Sequence, residues 1–277
     1  MADILVVAEH QEGAFKKTTL STITAAKAYA GLFGGEVDAL VLGNDAAQVA
    51  DTVAGYGVRK VLLGDNAAFA HYLAVTFAPA VAQVVKKKGY GTVFAPASTF
   101  GKDFMPRLSG LLDAPLASDI VGLAKEGEKL QVKRPMYAGN AIAIVELSGN
   151  PLLFTVRQTA FDAAQAAGNK APVEVVSVTA DAKGSVFISR QETKSERPEL
   201  TEARVIVSAG RGIKAQENFK LVEELADQFR RRLGRPEQPS MLDGHRTTGR
   251  WGRRARSWRP SSTLRWGSPG PSSTWRG

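Results

Sequence analysis

Cysteine is absent from the 277 residues, which excludes disulfides, thiolate catalysis and every cysteine-ligated metal centre. Histidine is scarce: the chain has three, His10, His71 and His245, so no histidine-rich metal cluster is expected and each one reads as structural. No apolar run approaches the roughly 20 residues that span a bilayer, so membrane insertion is not expected. The opening MADILVVAEHQEG has neither a basic n-region nor an apolar run long enough for a secretory signal. It also lacks the Arg- and Ser-rich character of a transit peptide. A cytoplasmic protein is the expectation. G-x-S-x-G, the Walker A pattern and a full G-x-G-x-x-G are missing as well.

Charge of one sign is concentrated where structure is least expected. The formal charge is +9, but from Arg230 to Gly277 the chain carries twelve arginines, no lysine and two acids, Glu237 and Asp243. Taking these from totals of 36 basic and 27 acidic residues leaves 24 and 25 in the first 229, a net of −1. The body is neutral, and the basic character belongs to the tail. All four tryptophans (Trp251, Trp258, Trp266, Trp275) lie there too, whereas Val, Ile, Phe, Tyr and Lys do not occur in it.

The body alternates between two kinds of apolar segment. ILVVAEH (Ile4–His10) is a short apolar run suited to a buried strand, and TTLSTITAAKAYAGLF then spaces Leu20, Ile23, Ala26 and Ala30 helically. VDALVLG, VRKVLLGD and TVFAPAS repeat the strand character, with alanine-rich helical stretches between them. Strands apolar on both faces with helices between them specify βαβ units in a parallel sheet covered on both sides. From about Leu123, turn signals at Gly127, Gly139-Asn140 and Gly149-Asn150-Pro151 punctuate the apolar runs as far as PLLFTVRQ. They predict antiparallel strands added at the sheet edge.

A polar, charged stretch, ISRQETKSERPELTEA, then marks a domain boundary. The expected division is an α/β domain over residues 1–185, a linker over 186–202, and the start of a second domain over 203–229. In that second domain Val205–Val207 form a strand ending in Ser208-Ala209-Gly210-Arg211-Gly212. A helix follows, with Phe219, Val222, Leu225, Ala226 and Phe229 on one face. Strand, glycine turn and helix N-terminus together form a common anion cradle, because backbone N–H groups and the helix dipole favour phosphate there. Arg211 adds a cation at its mouth. Lys102, Asp103 and Arg107, in FGKDFMPRLSGLLDAPLASDI, read as the solvated face of a helix over the sheet.

Three segments carry a family resemblance: ILVVAEH, APASTFGKDFMPRLSGLLDAPLASDI, and RPELTEARVIVSAGRGIKAQENFKLVEELAD. From Ala2 to Phe229 the chain resembles the alpha subunits of electron transfer flavoproteins. The resemblance implies a nucleotide-binding-like first domain without a cofactor of its own, then a flavodoxin-like domain holding FAD. It maps the family's Ser-Gly-Gly-Arg-Gly turn onto Ser208, Ala209, Gly210, Arg211 and Gly212, with Arg211 as the flavin-nucleotide arginine and Ala209 replacing a glycine. Ser208, Gly210, Arg211 and Gly212 are therefore the expected cofactor-binding residues; no catalytic residue and no metal is implied. The implied function is electron carriage, not catalysis on a substrate of its own, in a heterodimer with an electron transfer flavoprotein beta subunit in a bacterial cytoplasm. Electrons would come from acyl-CoA dehydrogenases in fatty acid oxidation. They would pass to electron transfer flavoprotein-ubiquinone oxidoreductase.

After Phe229 the resemblance stops, and the tail explains why. The family is expected to continue with segments like AAVGASRAAVDAG, VGQTGK and VGISGAIQHLAG. Codons for VGQTGK, written GTG GGG CAG ACG GGC AAG and read one base later with a following G, give Trp-Gly-Arg-Arg-Ala-Arg, which is Trp251–Arg256. GC-rich codons for VGISGAIQHLAG shift in the same way into Trp266–Gly277, and RRRLGRPEQPSML is compatible upstream in that offset. Residues 230–277 are thus expected to be an out-of-frame translation, without regular structure, that removes most of the FAD site. Such a composition offers no periodic apolar face to offset the entropy of ordering. The competing reading is a nucleotide-binding-like module whose Arg/Trp tail binds nucleic acid through phosphate charge and base stacking.

Overall fold

The computed structural model describes residues 2–11, 13–180, 185–189, 205–209, 218–232, 240–242 and 262–266. They fall into two compact units, Met1–Ser189 and Arg190–Gly277. The first unit begins with β1 (Ile4–Val7), a two-residue ribbon of β2 (His10–Gln11) and β3 (Ala14–Phe15), and α1 (Thr18–Phe33). It continues through β4 (Val37–Gly43), α2 (Ala47–Ala54), β5 (Val61–Asp65), α3 (Ala74–Lys88), β6 (Thr92–Pro96) and α4 (Thr99–Leu112). Then come β7 (Leu116–Ile120), β8 (Gly122–Glu126), β9 (Lys129–Met136), β10 (Ala141–Glu146), β11 (Leu152–Val156) and β12 (Val173–Val175).

Seven of these strands form one parallel sheet in the order β12-β5-β4-β1-β6-β11-β7. Its strands alternate between two cores. Ile4 and Val6 pack with Ile23 and Ala26 of α1 and Val49 and Val53 of α2. Leu5 and Val7 pack with Phe77 and Val81 of α3 and Phe104 and Leu108 of α4. Helices on both faces explain why every residue of β1, β4 and β6 is buried. Each large side chain so enclosed contributes roughly 1.5–3 kcal/mol. The parallel α/β architecture expected from the sequence is the observed one.

The run after Leu123 divides differently from the expectation. β8, β9 and β10 form a separate three-stranded antiparallel sheet, whereas β11 inserts as a parallel strand between β6 and β7. The physical reason is visible in LLFTV. Leu153 and Phe154 are both fully buried and enter opposite cores, a strand that only a doubly covered sheet accommodates. In β9, by contrast, Leu130 and Val132 are buried while Lys129 and Lys133 are exposed, the alternation of a sheet with one wet face.

At the amino-terminal ends of four adjacent strands a polar clamp replaces apolar packing. Asp38, fully buried inside β4, accepts from Arg59 Nε at 2.8 Å and Nη2 at 2.6 Å, and from the Tyr90 hydroxyl at 2.5 Å. Arg59 Nη2 also reaches Asp3 at 2.7 Å. Burial, and next the bond to Asp38, push the Tyr90 phenol well above its usual range, so it stays a donor.

At the far edge, Glu174 of β12 is held by Lys88 and by Lys60, the latter at 3.1 Å. The Lys88 bond, then the Lys60 bond, hold its carboxyl below the ordinary 4.5. A depressed acid stabilises above its unfolded pKa, and that stability is lost as pH falls through the folded value. With 41% of its side chain exposed, screening keeps the effect small. Glu174→Gln is therefore expected to cost under about 1 kcal/mol at pH 7 and nothing measurable near pH 3. Urea midpoints at the two pH values check this; an equal cost at both would refute it.

The second unit contains β13 (Val205–Ala209), α5 (Phe219–Arg232), β14 (Ser240–Leu242) and β15 (Ser262–Trp266). The three strands make a parallel sheet with β13 at its centre. Val207, Ala209, Val222 and Ala226 are buried together, with Leu225 packed against them. The expectation of a tail without regular structure meets two short segments, β14 and β15, that pair with β13 through backbone groups.

Candidate functional site

In the first unit the chain runs from β1 outward to β4 and β5, then returns to the other side of β1 as β6. That reversal opens a crevice beyond the carboxyl ends of β1 and β6, where open α/β sheets usually take ligands. Glu9, His10 and Ser98 stand at these ends. Each already has work in the fold. The Glu9 carboxylate accepts from the Thr18 hydroxyl at 2.8 Å, and its N–H donates to Thr19 Oγ1 at 2.9 Å. His10 Nε2 lies 2.7 Å from the Leu42 carbonyl, which makes it the protonated nitrogen.

Ser98 caps α4, and the helix sits so close to β6 that a Cβ on Gly101 would fall 1.9 Å from the Pro96 carbonyl oxygen. Lys102 and Arg107 are exposed on α4, as expected of a solvated face. Asp103 accepts from the Tyr72 hydroxyl at 3.0 Å. Burial first, then this bond, push the Tyr72 phenol well above its usual range. His71 stacks on Phe187, with ring centroids 3.8 Å apart. Both described histidines thus have structural contacts. Among the described residues no three of His, Asp or Glu group to hold a metal.

In the second unit a described strand and a described helix precede and follow residues 210–217 in sequence. β13 is flanked on both sides, so Ala209 stands at the carboxyl end of a central parallel strand. α5 then packs back on it through Val222 and Ala226. Helix starts that follow such strand ends commonly offer backbone N–H groups to a phosphate. Ser208 is the fourth residue of β13, in register with Leu242 and Arg265. Gly210, Arg211 and Gly212 lie outside the described residues, as do most of the linker over 186–202 and much of the tail. β13 and α5, which precede and follow residues 210–217 in sequence, have the strand-then-helix order common to phosphate sites of open α/β sheets. No further group for such a ligand is identified among the described residues.

Sequence reasoning missed the Asp38 clamp. Its signal was an aspartate inside the apolar run VDALVLG, since a carboxylate there must be paired to be buried. The clamp sits at the strand ends opposite the crevice, so its role is structural.

Residues 4–181 match the family model described as the electron transfer flavoprotein domain, and residues 199–241 match the electron transfer flavoprotein FAD-binding domain. The chain is 46% identical over 232 residues to the electron transfer flavoprotein subunit alpha of Pseudomonas aeruginosa, covering 83% of this chain and 72% of that protein. It is 40% identical over 237 residues to the mitochondrial alpha subunit of Dictyostelium discoideum, covering 80% and 65%. The alpha subunit of Paracoccus denitrificans is 37% identical over 234 residues, covering 83% and 72%. These findings do not favour the nucleic-acid reading of the tail.

Proposed function

This chain belongs to the electron transfer flavoprotein family, with relatives named as alpha subunits, and we propose that it is built to carry electrons on FAD within a heterodimer with a beta subunit. The supporting observation is the order of the parts: a doubly covered parallel α/β unit, followed by a strand and a helix between which the sequence carries Gly210-Arg211-Gly212. The isoalloxazine ring supplies the redox chemistry, and the protein supplies position and electrostatics. Ser208, Gly210, Arg211 and Gly212 hold the phosphate end, the glycines through backbone N–H groups and Arg211 through its guanidinium. Electrons enter from acyl-CoA dehydrogenases of fatty acid oxidation and leave to electron transfer flavoprotein-ubiquinone oxidoreductase. The proposed setting is the bacterial cytoplasm. Among the described residues no helix is long and apolar enough to cross a membrane.

Residues after about Phe229 are read as out of frame, so the chain as written lacks most of its flavin site. The family match continues to residue 241, twelve residues beyond that point. The same gene with its frame restored provides the test of Arg211. Arg211→Ala there is expected to weaken FAD binding roughly 10- to 100-fold, the worth of one charge-assisted hydrogen-bonding partner. Flavin fluorescence titration reads this directly. Unchanged affinity would remove Arg211 from the site.

A further inference from the structure

We propose that the chain leaves the first unit through a strap with a firm inner tie and a releasable outer latch, and that the latch, Phe187 stacked on His71, sets where the tether to the second unit begins. The inner tie follows β12, the edge strand of the seven-stranded sheet. Val176 N–H donates to the Leu63 carbonyl at 2.8 Å, which continues the parallel pairing with β5. Val178 is buried in the core that holds Leu5, Phe77 and Val81. It lies so close to β5 that a Cβ on Gly64 would fall 2.9 Å from Val178 Cγ2. Thr179 is then gripped by one side chain of α3. The Thr179 N–H and hydroxyl donate to Gln83 Oε1 at 3.0 and 2.9 Å, and Gln83 Nε2 donates to the Thr179 carbonyl at 3.1 Å. Burial and these three bonds fix the chain as far as Ala180, which packs on the same core.

The outer latch is of another kind. Phe187 lies on the ring of His71, which precedes α3, with centroids 3.8 Å apart and planes 18° from parallel. Val186 and Ile188 on either side are 85% and 92% exposed, whereas Phe187 is half-buried. Of these three residues Phe187 alone is turned toward the unit. Among the described residues 185–189 make no hydrogen bond, and Phe187 joins neither core. His71 is itself exposed. A single aromatic pair shifts a closed-to-open ratio by roughly 2- to 10-fold, and it works against the entropy of the segment it orders. The inner tie persists through such an equilibrium, and the latch is the part poised near balance.

The boundary between the units falls two residues after Phe187, at Ser189. With the latch closed, the tether to β13 starts at residue 190, so the linker expected from residue 186 opens with a docked segment. With the latch open, the tether starts after Ala180, and residues 181–189 are added to the span that precedes Val205. One surface ring pair thereby controls the reach of the second unit. The assignment uses contacts within the first unit alone, so it stands or falls apart from the electron-carrier reading.

Because the chain lacks cysteine, Ser189→Cys in the full chain takes a single nitroxide label for electron paramagnetic resonance. The labelled parent is expected to show a slow spectral component from the closed latch. His71→Ala and Phe187→Ala should each reduce that component about 2-fold or more, and trypsin should cut after Arg190 faster by a similar factor. His71→Phe keeps a ring that can stack and should retain the slow component. Thermal unfolding of the first unit should hold in all three, since neither side chain belongs to a core. A label equally mobile in the parent and the alanine variants would refute the latch, as would an undiminished slow component in those variants. Loss of the component in His71→Phe would equally overturn it, because the imidazole nitrogens and not the stack would then be holding the segment.

Discussion

Restoring the reading frame after Phe229 should turn a colourless protein yellow. The chain as written is expected to leave gel filtration with the beta subunit carrying no flavin, and its frame-restored counterpart to carry FAD near stoichiometry. β13 and α5 are present in the chain as written, and the sequence between them keeps Gly210, Arg211 and Gly212, the residues proposed for the phosphate end. A tight cofactor site, however, encloses most of its ligand with many converging groups. The segments expected to grip the pyrophosphate and the flavin ring, of the GASR, VGQTGK and GISGAIQH types, are replaced here by Arg-, Ser-, Trp- and Pro-rich sequence. Short parallel pairings by Ser240–Leu242 and Ser262–Trp266 widen the sheet. They restore none of those side chains. Losing about 4 kcal/mol or more of contacts corresponds to at least a thousandfold loss in affinity. Absorbance near 450 nm after gel filtration decides it. Stoichiometric FAD on the chain as written would overturn the frame argument, as would gene sequence around residues 229 and 230 incompatible with the shifted motifs.

Asp38→Ala is expected to cost about 3–5 kcal/mol of stability, the range for breaking a buried ion pair from one side. The carboxylate is fully enclosed and is bonded by Arg59 and Tyr90. Its removal leaves the Tyr90 hydroxyl buried without that acceptor. Arg59 is 37% exposed and can turn toward water or keep Asp3, which favours the lower half of the range. Tyr90→Phe removes a single bond to a charge and should cost about 1.5–3 kcal/mol. Together the two substitutions should cost less than their sum, because they share one network. Urea unfolding of the first unit in each variant reads these values. A cost for Asp38→Ala below about 1 kcal/mol would show that the clamp contributes little.

The sequence by itself determined the parallel α/β unit, since uninterrupted apolar runs such as ILVV and ALVLG can be buried only between two helical layers. It also determined the strand and helix order of residues 205–232, where Val222 and Ala226 lie four apart on one helical face. It located the tail's change of composition as well, because composition is a property of the chain and needs no fold. Tertiary structure decided what depends on distant partners. LLFTV is short and apolar, and only the space between β6 and β7 made it an interior parallel strand and not an antiparallel edge. Asp38 acquired a role when Arg59 and Tyr90, 21 and 52 residues away in sequence, met it at the strand ends. His10 became structural through the Leu42 carbonyl. Periodicity reports which face of a segment is buried, but it cannot report what lies across from that face. That is set by packing among segments far apart in the chain.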